Sequence, residues 1–255
     1  MTADIQLQPQ QPPVHRDGEG AQMGIFDHLD ELRRRLFISA FALVIGTLGG
    51  VAVATPVLKF ISEPYGRAFI VLDPTGGVVQ YFRVAIMVGA SLSIPVITYE
   101  LLMFILPGLT GTEKKWLVIS IPPIFLLFLV GIAFAWFILI PPALGFLVNF
   151  QPTIFHAEWT ADHYLGFVTS LLFWMGVAFE TPLVFFVLSL FAVVQSRQLM
   201  KQWRIAIVGA AIAAAVITPT VDPVNMMLVM GPLMGLYLLS IGLVTIGKRF
   251  NRNEG

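Results

Sequence analysis

The chain has 255 residues, 57% of them apolar and only 12% charged, with 15 basic side chains balancing 15 acidic ones. A soluble domain carries roughly twice that charge fraction, so the composition points to a protein that crosses a membrane several times. The lack of cysteine excludes disulfides, thiolate metal sites and cysteine nucleophiles.

Residues 1–22 are polar and biased, with only Gln and Pro from Gln8 to Pro13, and are expected to form a disordered tail. No cleavable signal peptide is visible, because the first apolar run starts near Leu36 without a small-residue cleavage pattern. Residues 26–36 read Phe-Asp-His-Leu-Asp-Glu-Leu-Arg-Arg-Arg-Leu. As a helix they place Ile25, Leu29, Leu32 and Leu36 on one apolar face. Asp30 and Arg34, and Glu31 and Arg35, stand four apart with the acid first, the order that best supports an exposed helix. An interfacial helix with arginines holding the chain's start on one side accounts for the bases. It does not account for the carboxylates among them.

The first span is expected over 36–58, where Gly46 and Gly50 form a small-xxx-small pair suited to close helix packing. A loop over 59–82 leads to a second span over 84–106, with Pro95 inside it and Glu100 near its far end. The short polar loop over 107–115 holds Glu113, Lys114 and Lys115. The apolar stretch 116–150 is longer than a ~30 Å core requires and contains two Pro-Pro pairs, so it is expected to tilt, kink or project. The loop over 151–163 carries His156, Glu158, Asp162 and His163 but no Lys or Arg.

A fourth span over 164–194 has Glu180 and Pro182 in its middle, and a basic loop follows over 196–204. The fifth apolar run, 205–217, makes only about 20 Å of helix, short of the ~30 Å a crossing needs. A tight turn over 218–223 leads to the last span, 224–246, and to a polar tail. The expected organisation is a tail over 1–22, a six-helix transmembrane domain over 23–248 and a tail over 249–255. Twelve of the fifteen Lys and Arg fall in the termini and the even-numbered connections; the others, Lys59, Arg67 and Arg83, lie in the first expected outer loop. Both termini are therefore expected to be cytoplasmic.

No His-Glu-x-x-His, Gly-x-Ser-x-Gly or Walker-type loop occurs, and all four histidines lie outside the expected spans. These absences argue against a membrane protease, a transferase or an ATP-driven pump. Glu180 is the one ionisable group expected at mid-membrane depth, about half a membrane from Glu31 and Glu113. An acid there is costly, so it serves a proton-coupling site, a polar anchor for a partner helix, or the kink at Pro182. Thr169 and Thr181, in the same span, are its expected polar neighbours. Glu113 alone reads as a solvated acid at a helix start. With Glu31 on the same side of the membrane, the two carboxylates can each grip a guanidinium bidentately.

Taken together, these motifs resemble the TatC family, the multispanning core of the twin-arginine protein translocase. Residues 28–36 are similar to its N-terminal signature, with Glu31 and Arg33 at its glutamate and first arginine. Ser62-Glu63-Pro64 resembles its first outer segment. Phe104 to Leu109 with Glu113, Met175 to Pro182, and Ile217-Thr218-Pro219 resemble three further motifs. The resemblance implies an all-α, glove-shaped bundle of six helices with a concave face and a short fifth helix. It implies a receptor for signal peptides with paired arginines, not an enzyme, needing no cofactor, in a bacterial plasma membrane. Glu31, Glu113, Phe104 and Arg33 would bind the signal peptide; Glu180 and Pro64 would serve transport and partner contacts. TatA- and TatB-type single-span proteins would be partners, the chain would form homo-oligomers within the complex, and folded cargo would cross on the proton-motive force.

Two positions depart from the family pattern: Glu100 stands where an uncharged amide is usual, and Asp222 lies one residue later than the expected acid. Glu100 either adds a third acid near the patch or reaches to the interface. The rival reading is a proton-coupled small-solute transporter using Glu180, which would be expected to show repeat symmetry between its halves. None is visible. A structural scaffold for other membrane helices is the other alternative. Neither gives Glu31 and Glu113 a role.

Overall fold

Inside a bilayer a backbone N–H or C=O can be satisfied only within its own segment, so each apolar run folds as a helix. The structure, a computed structural model, describes residues 25–66, 68–105, 111–154, 157–191, 193–219 and 222–251, with 25–27, 111–116 and 247–251 described through their backbone. The expected tail over 1–22 lies outside the described residues. The helices are α1 (Ile25–Ser62), α2 (Gly76–Ile105), α3 (Gly111–Phe134), α4 (Ile140–Val148), α5 (Ala161–Leu190), α6 (Ser196–Lys201), α7 (Trp203–Ile217) and α8 (Pro223–Asn251). Five helical segments are long and apolar enough to cross a membrane, and α7 is a shorter apolar helix, in keeping with six crossings of which the fifth is short. No strand forms among the described residues; the only β pairing there is an isolated bridge between Ile70 and Thr160.

Several boundaries differ from the sequence expectation. The charged stretch and the first span are one continuous helix of 38 residues, because no glycine or proline breaks the chain at the charged-to-apolar border. The expected loop over 59–82 is shorter, since α1 runs to Ser62 and α2 starts at Gly76. The basic connection over 196–204 contains the short helix α6, capped by reciprocal bonds between Gln195 and Gln198. The long third segment passes through a π-helical turn, Ala135–Leu139. Pro141 and Pro142 follow it directly. They cannot donate to carbonyls four residues back, and a wider turn accommodates the missing bonds.

Close packing is set by small residues. Gly46 and Gly50 of α1 lie against α2; a Cβ on Gly50 would strike the carbonyl of Ala85, and one on Gly89 would strike the backbone of Thr47. Ser93 Oγ seals this contact by donating to the carbonyl of Ala42 at 2.8 Å. The small-xxx-small pair read from the sequence is thus the α1–α2 seam. On α5, Gly176 receives the ring of Phe128 from α3.

Helix α5 is central, packing on α2, α3, α7 and α8. Its buried face (Tyr164, Leu165, Val168, Leu171, Met175) joins Ile61, Val84, Leu139 and Val229 in the larger core cluster. A smaller cluster, Leu102, Leu117, Ile124, Val187 and Leu188, lies toward the arginine-rich end of the bundle. Outside the core the surface is apolar: Phe37, Phe41, Leu48, Phe137 and Ile205 are all more than half exposed. Such a surface would aggregate in water and is matched to lipid.

Candidate functional site

The first turns of α1 and the last turns of α2 meet at the arginine-rich end. Glu31 and Arg35 lie four apart on α1, which puts them on one helix face, and the expected ion pair forms between them. Arg35 also crosses to α2, where its Nη1 donates to Glu100 Oε2 at 2.9 Å. The Arg35 Nε and Nη2 both donate to the same oxygen of Glu31, Oε1. The three side chains are largely shielded, with exposures of 17% for Arg35, 17% for Glu31 and 10% for Glu100. The second Glu31 oxygen, Oε2, is buried and has no hydrogen-bond partner among the described residues. Among the described residues, two carboxylates thus share one guanidinium and one carboxylate oxygen has no donor.

One turn beyond, His28 of α1 stacks on Phe104 of α2, ring centroids 4.5 Å apart and nearly parallel. The structure therefore gathers three groups singled out in the sequence, Glu31, Phe104 and Glu100, at one end of the bundle. Arg33 is also there but exposed, and it pairs with Asp30 at 3.7 Å. That replaces the expected Asp30–Arg34 pair. Glu113 lies on the first turn of α3, and its side chain falls outside the described residues.

Glu180 is buried on α5, 5% exposed. Its Oε2 accepts from Thr98 Oγ1 of α2 at 2.9 Å, and its Oε1 has no partner among the described residues. Thr169, expected beside it, is engaged elsewhere: its Oγ1 donates to the carbonyl of Leu165 in its own helix. The expected separation of half a membrane is also corrected. Thr98 and Glu100 are two residues apart on α2, about 3 Å in rise and about 200° around the axis. Glu180 and the Glu31 cluster are therefore held by opposite faces of the same turn of α2. Sequence spacing could not show this, since it depends on which helix faces α2 on each side.

At the other end of the bundle, Pro64 is exposed in the 3-10 turn Glu63–Tyr65. That turn presents Tyr65, which stacks on Phe69 at 4.8 Å and lies beside Trp159 and Tyr164. A cavity of about 640 Å³ opens nearby, lined by Arg83, Asp162, His163 and several aromatic rings. Arg83 Nη1 donates to Asp162 Oδ1 at 2.9 Å, and the buried Gln80 donates to the same oxygen at 2.9 Å. Arg83 and Glu100 are seventeen residues apart on one helix, about 25 Å along its axis, so this cavity is separate from the carboxylate cluster. No group of His, Asp and Glu that could hold a metal occurs among the described residues.

Comparison with known proteins identifies the family. Residues 27–232 match the family described as "Sec-independent protein translocase protein (TatC)". The chain is 38% identical over 231 residues to the chloroplast Sec-independent protein translocase protein TATC of Arabidopsis thaliana, covering 89% of this chain and 68% of that one. It is 35% identical to the Sec-independent protein translocase protein TatC of a Synechocystis strain, covering 89% of this chain and 90% of that one. It spans about two thirds of the length of the plant relatives. A crystal structure described as the twin arginine translocase receptor TatC superposes with a TM-score of 0.77 at 34% identity, covering 87% of this chain and 99% of that one.

Proposed function

Because this chain belongs to the TatC family of Sec-independent protein translocase proteins, we propose that it is the signal-peptide receptor and core subunit of a twin-arginine translocase. It recognises paired arginines on the signal peptides of folded cargo. It then works with TatA- and TatB-type single-span proteins, in a complex holding several copies of itself, to export that cargo on the proton-motive force. The membrane is a bacterial plasma membrane with both termini cytoplasmic, in line with the placement of twelve of fifteen Lys and Arg. The family is a translocase component rather than a catalytic enzyme.

The carrying observation is the Glu31 carboxylate. It already holds one guanidinium on Oε1 and has a buried Oε2 with no donor among the described residues. A site that binds a guanidinium internally, and has acceptor capacity left over, is chemically suited to another. Glu113, on the helix start at the same end of the bundle, supplies a second acid for the second arginine. Phe104 and His28 offer stacked rings over which the planar guanidinium or the flanking peptide can lie. Arg33, paired with Asp30, keeps that acid from competing for the ligand. Glu180, on the opposite face of the same turn of α2, and Pro64, at the other end of the bundle, serve transport and partner contacts.

The test is equilibrium binding of a fluorescent Arg-Arg signal peptide to the purified full-length chain in detergent, with a Lys-Lys counterpart. Glu31→Gln and Glu113→Gln each remove one charge-assisted bond, and each is expected to weaken Arg-Arg binding about tenfold or more. Lys-Lys binds poorly because an ammonium cannot make the bidentate contact. Unchanged binding in the double Gln variant would refute the assignment.

A further inference from the structure

The cavity at the end of the bundle away from the Glu31 cluster has no task in the receptor reading. We propose that it is a lipid site: its apolar wall takes an acyl chain, and Arg83 and Asp162 at its rim take a phosphoethanolamine headgroup.

Shape and polarity point to an amphiphile. At about 640 Å³ the cavity is of ligand size. On α5 its lining runs from Asp162 to Trp174, twelve residues or about 18 Å of helix. That is close to the depth of one leaflet, half of a ~30 Å hydrocarbon core. The two charged lining residues sit where α2 and α5 begin, whereas Met87 and Ala90 of α2 and Phe173 and Trp174 of α5 line the deeper part. Thr169, between the two zones, spends its hydroxyl on the Leu165 carbonyl of its own helix. A soluble solute has no use for such a gradient, and a lipid standing in its leaflet matches it.

The rim selects the headgroup. Among the described lining residues one base and one acid are charged, so the rim has no net charge, and each keeps unused capacity. Arg83 makes its hydrogen bonds from Nη1 alone, to the Asp162 carbonyl, Asp162 Oδ1 and Gln80 Oε1. Its Nε–Nη2 edge, the shape that binds two phosphate oxygens at once, has no partner among the described residues. Asp162 receives Arg83 and Gln80 on Oδ1, and its Oδ2 has no donor there. The guanidinium lies over Gly166, where a Cβ would stand 2.8 Å from Nη1, so a larger residue there would displace it. A phosphoethanolamine headgroup supplies both complements, a phosphate for Arg83 and a primary ammonium with N–H donors for Asp162. Choline has no N–H to give. A headgroup that is only anionic satisfies Arg83 but meets Asp162 as a like charge.

The test is native mass spectrometry of the purified full-length chain, titrated in detergent with phosphatidylethanolamine, phosphatidylcholine and phosphatidylglycerol of identical acyl chains. Phosphatidylethanolamine is expected to bind about tenfold more tightly than either, the worth of one charge-assisted hydrogen bond. Arg83→Gln weakens it by about the same factor. Asp162→Asn abolishes the preference over phosphatidylglycerol, because the acid that repels an anionic headgroup is gone. Exposed ion pairs add little to stability, so both rim variants should unfold near the wild-type midpoint. Ser170→Leu fills the cavity from α5 without altering the rim charges, and weakens binding of all three lipids. Ala90→Leu does the same from α2 and takes its place should the unfolding midpoint show that Ser170→Leu is not folded. Equal binding of the three lipids, as a face meant for a partner helix would show, overturns the proposal. So does a preference for phosphatidylglycerol, which would mark an anionic-lipid site. A phosphatidylethanolamine preference that survives both rim variants also overturns it, since the lipid would then sit elsewhere.

Discussion

Thr98→Val removes one hydroxyl from the middle of the bundle with almost no change in shape. That hydroxyl is the one donor to Glu180 among the described residues, at 2.9 Å, and both side chains are about 95% buried. Since Glu180 Oε1 already lacks a partner among the described residues, the substitution leaves neither carboxyl oxygen with a donor there. A buried acceptor deprived of its donor costs about 1–3 kcal/mol. Glu180→Leu keeps most of the volume and removes the group that needed the bond, and replacing such a buried polar group by an apolar one is close to neutral or stabilising. In that background Thr98→Val should cost at most about 0.5 kcal/mol, so the coupling between the two positions is about 1–3 kcal/mol. Denaturant unfolding of the purified chain in mixed micelles, followed by tryptophan fluorescence, measures all four corners. An equal cost for Thr98→Val in both backgrounds would refute the reasoning, because it would mean the hydroxyl stabilises something other than Glu180. A Glu180→Leu protein that is more stable and yet inactive in export would show that the acid is retained for function at the expense of stability.

Export of a folded reporter with a twin-arginine signal should be lost in Glu180→Ala while peptide binding is largely unchanged, because the two contacts lie on opposite faces of α2. Glu180→Gln, which can still accept from Thr98, should retain export if Glu180 anchors a partner helix; lost export with normal partner association would instead indicate proton transfer. Reporter domains fused after Glu158 should be accessible from outside the cell and those after Ser196 only from inside, and a cytoplasmic signal from the Glu158 fusion would overturn the topology. Gly89→Ala should destabilise by about 1–3 kcal/mol, since its Cβ strikes the Thr47 backbone and must part α1 from α2. Gly209→Ala, with open space at that position, serves as the control and should not lower the unfolding midpoint.

Much of this protein is determined locally. The bilayer sets a minimum length for an apolar run, so the long spans and the short helix α7 could be read from the sequence. Helical periodicity placed Glu31 and Arg35 on one face, and they pair there. The Gly46 and Gly50 pair marked a close seam, although nothing local named Gly89 as its other half. What spacing cannot encode is which helix lies opposite which. Arg35 meets Glu100 across 65 residues, and Thr98 meets Glu180 across 82. Both contacts exist because α2 lies between α1 and α5 and offers a different face to each. The same packing decided that Glu180 stands at the level of the carboxylate cluster rather than half a membrane away. A charge buried in a span announces that it needs a partner, because leaving it unpaired is so costly. Only the tertiary structure, by choosing the neighbouring helix, decides which partner it gets.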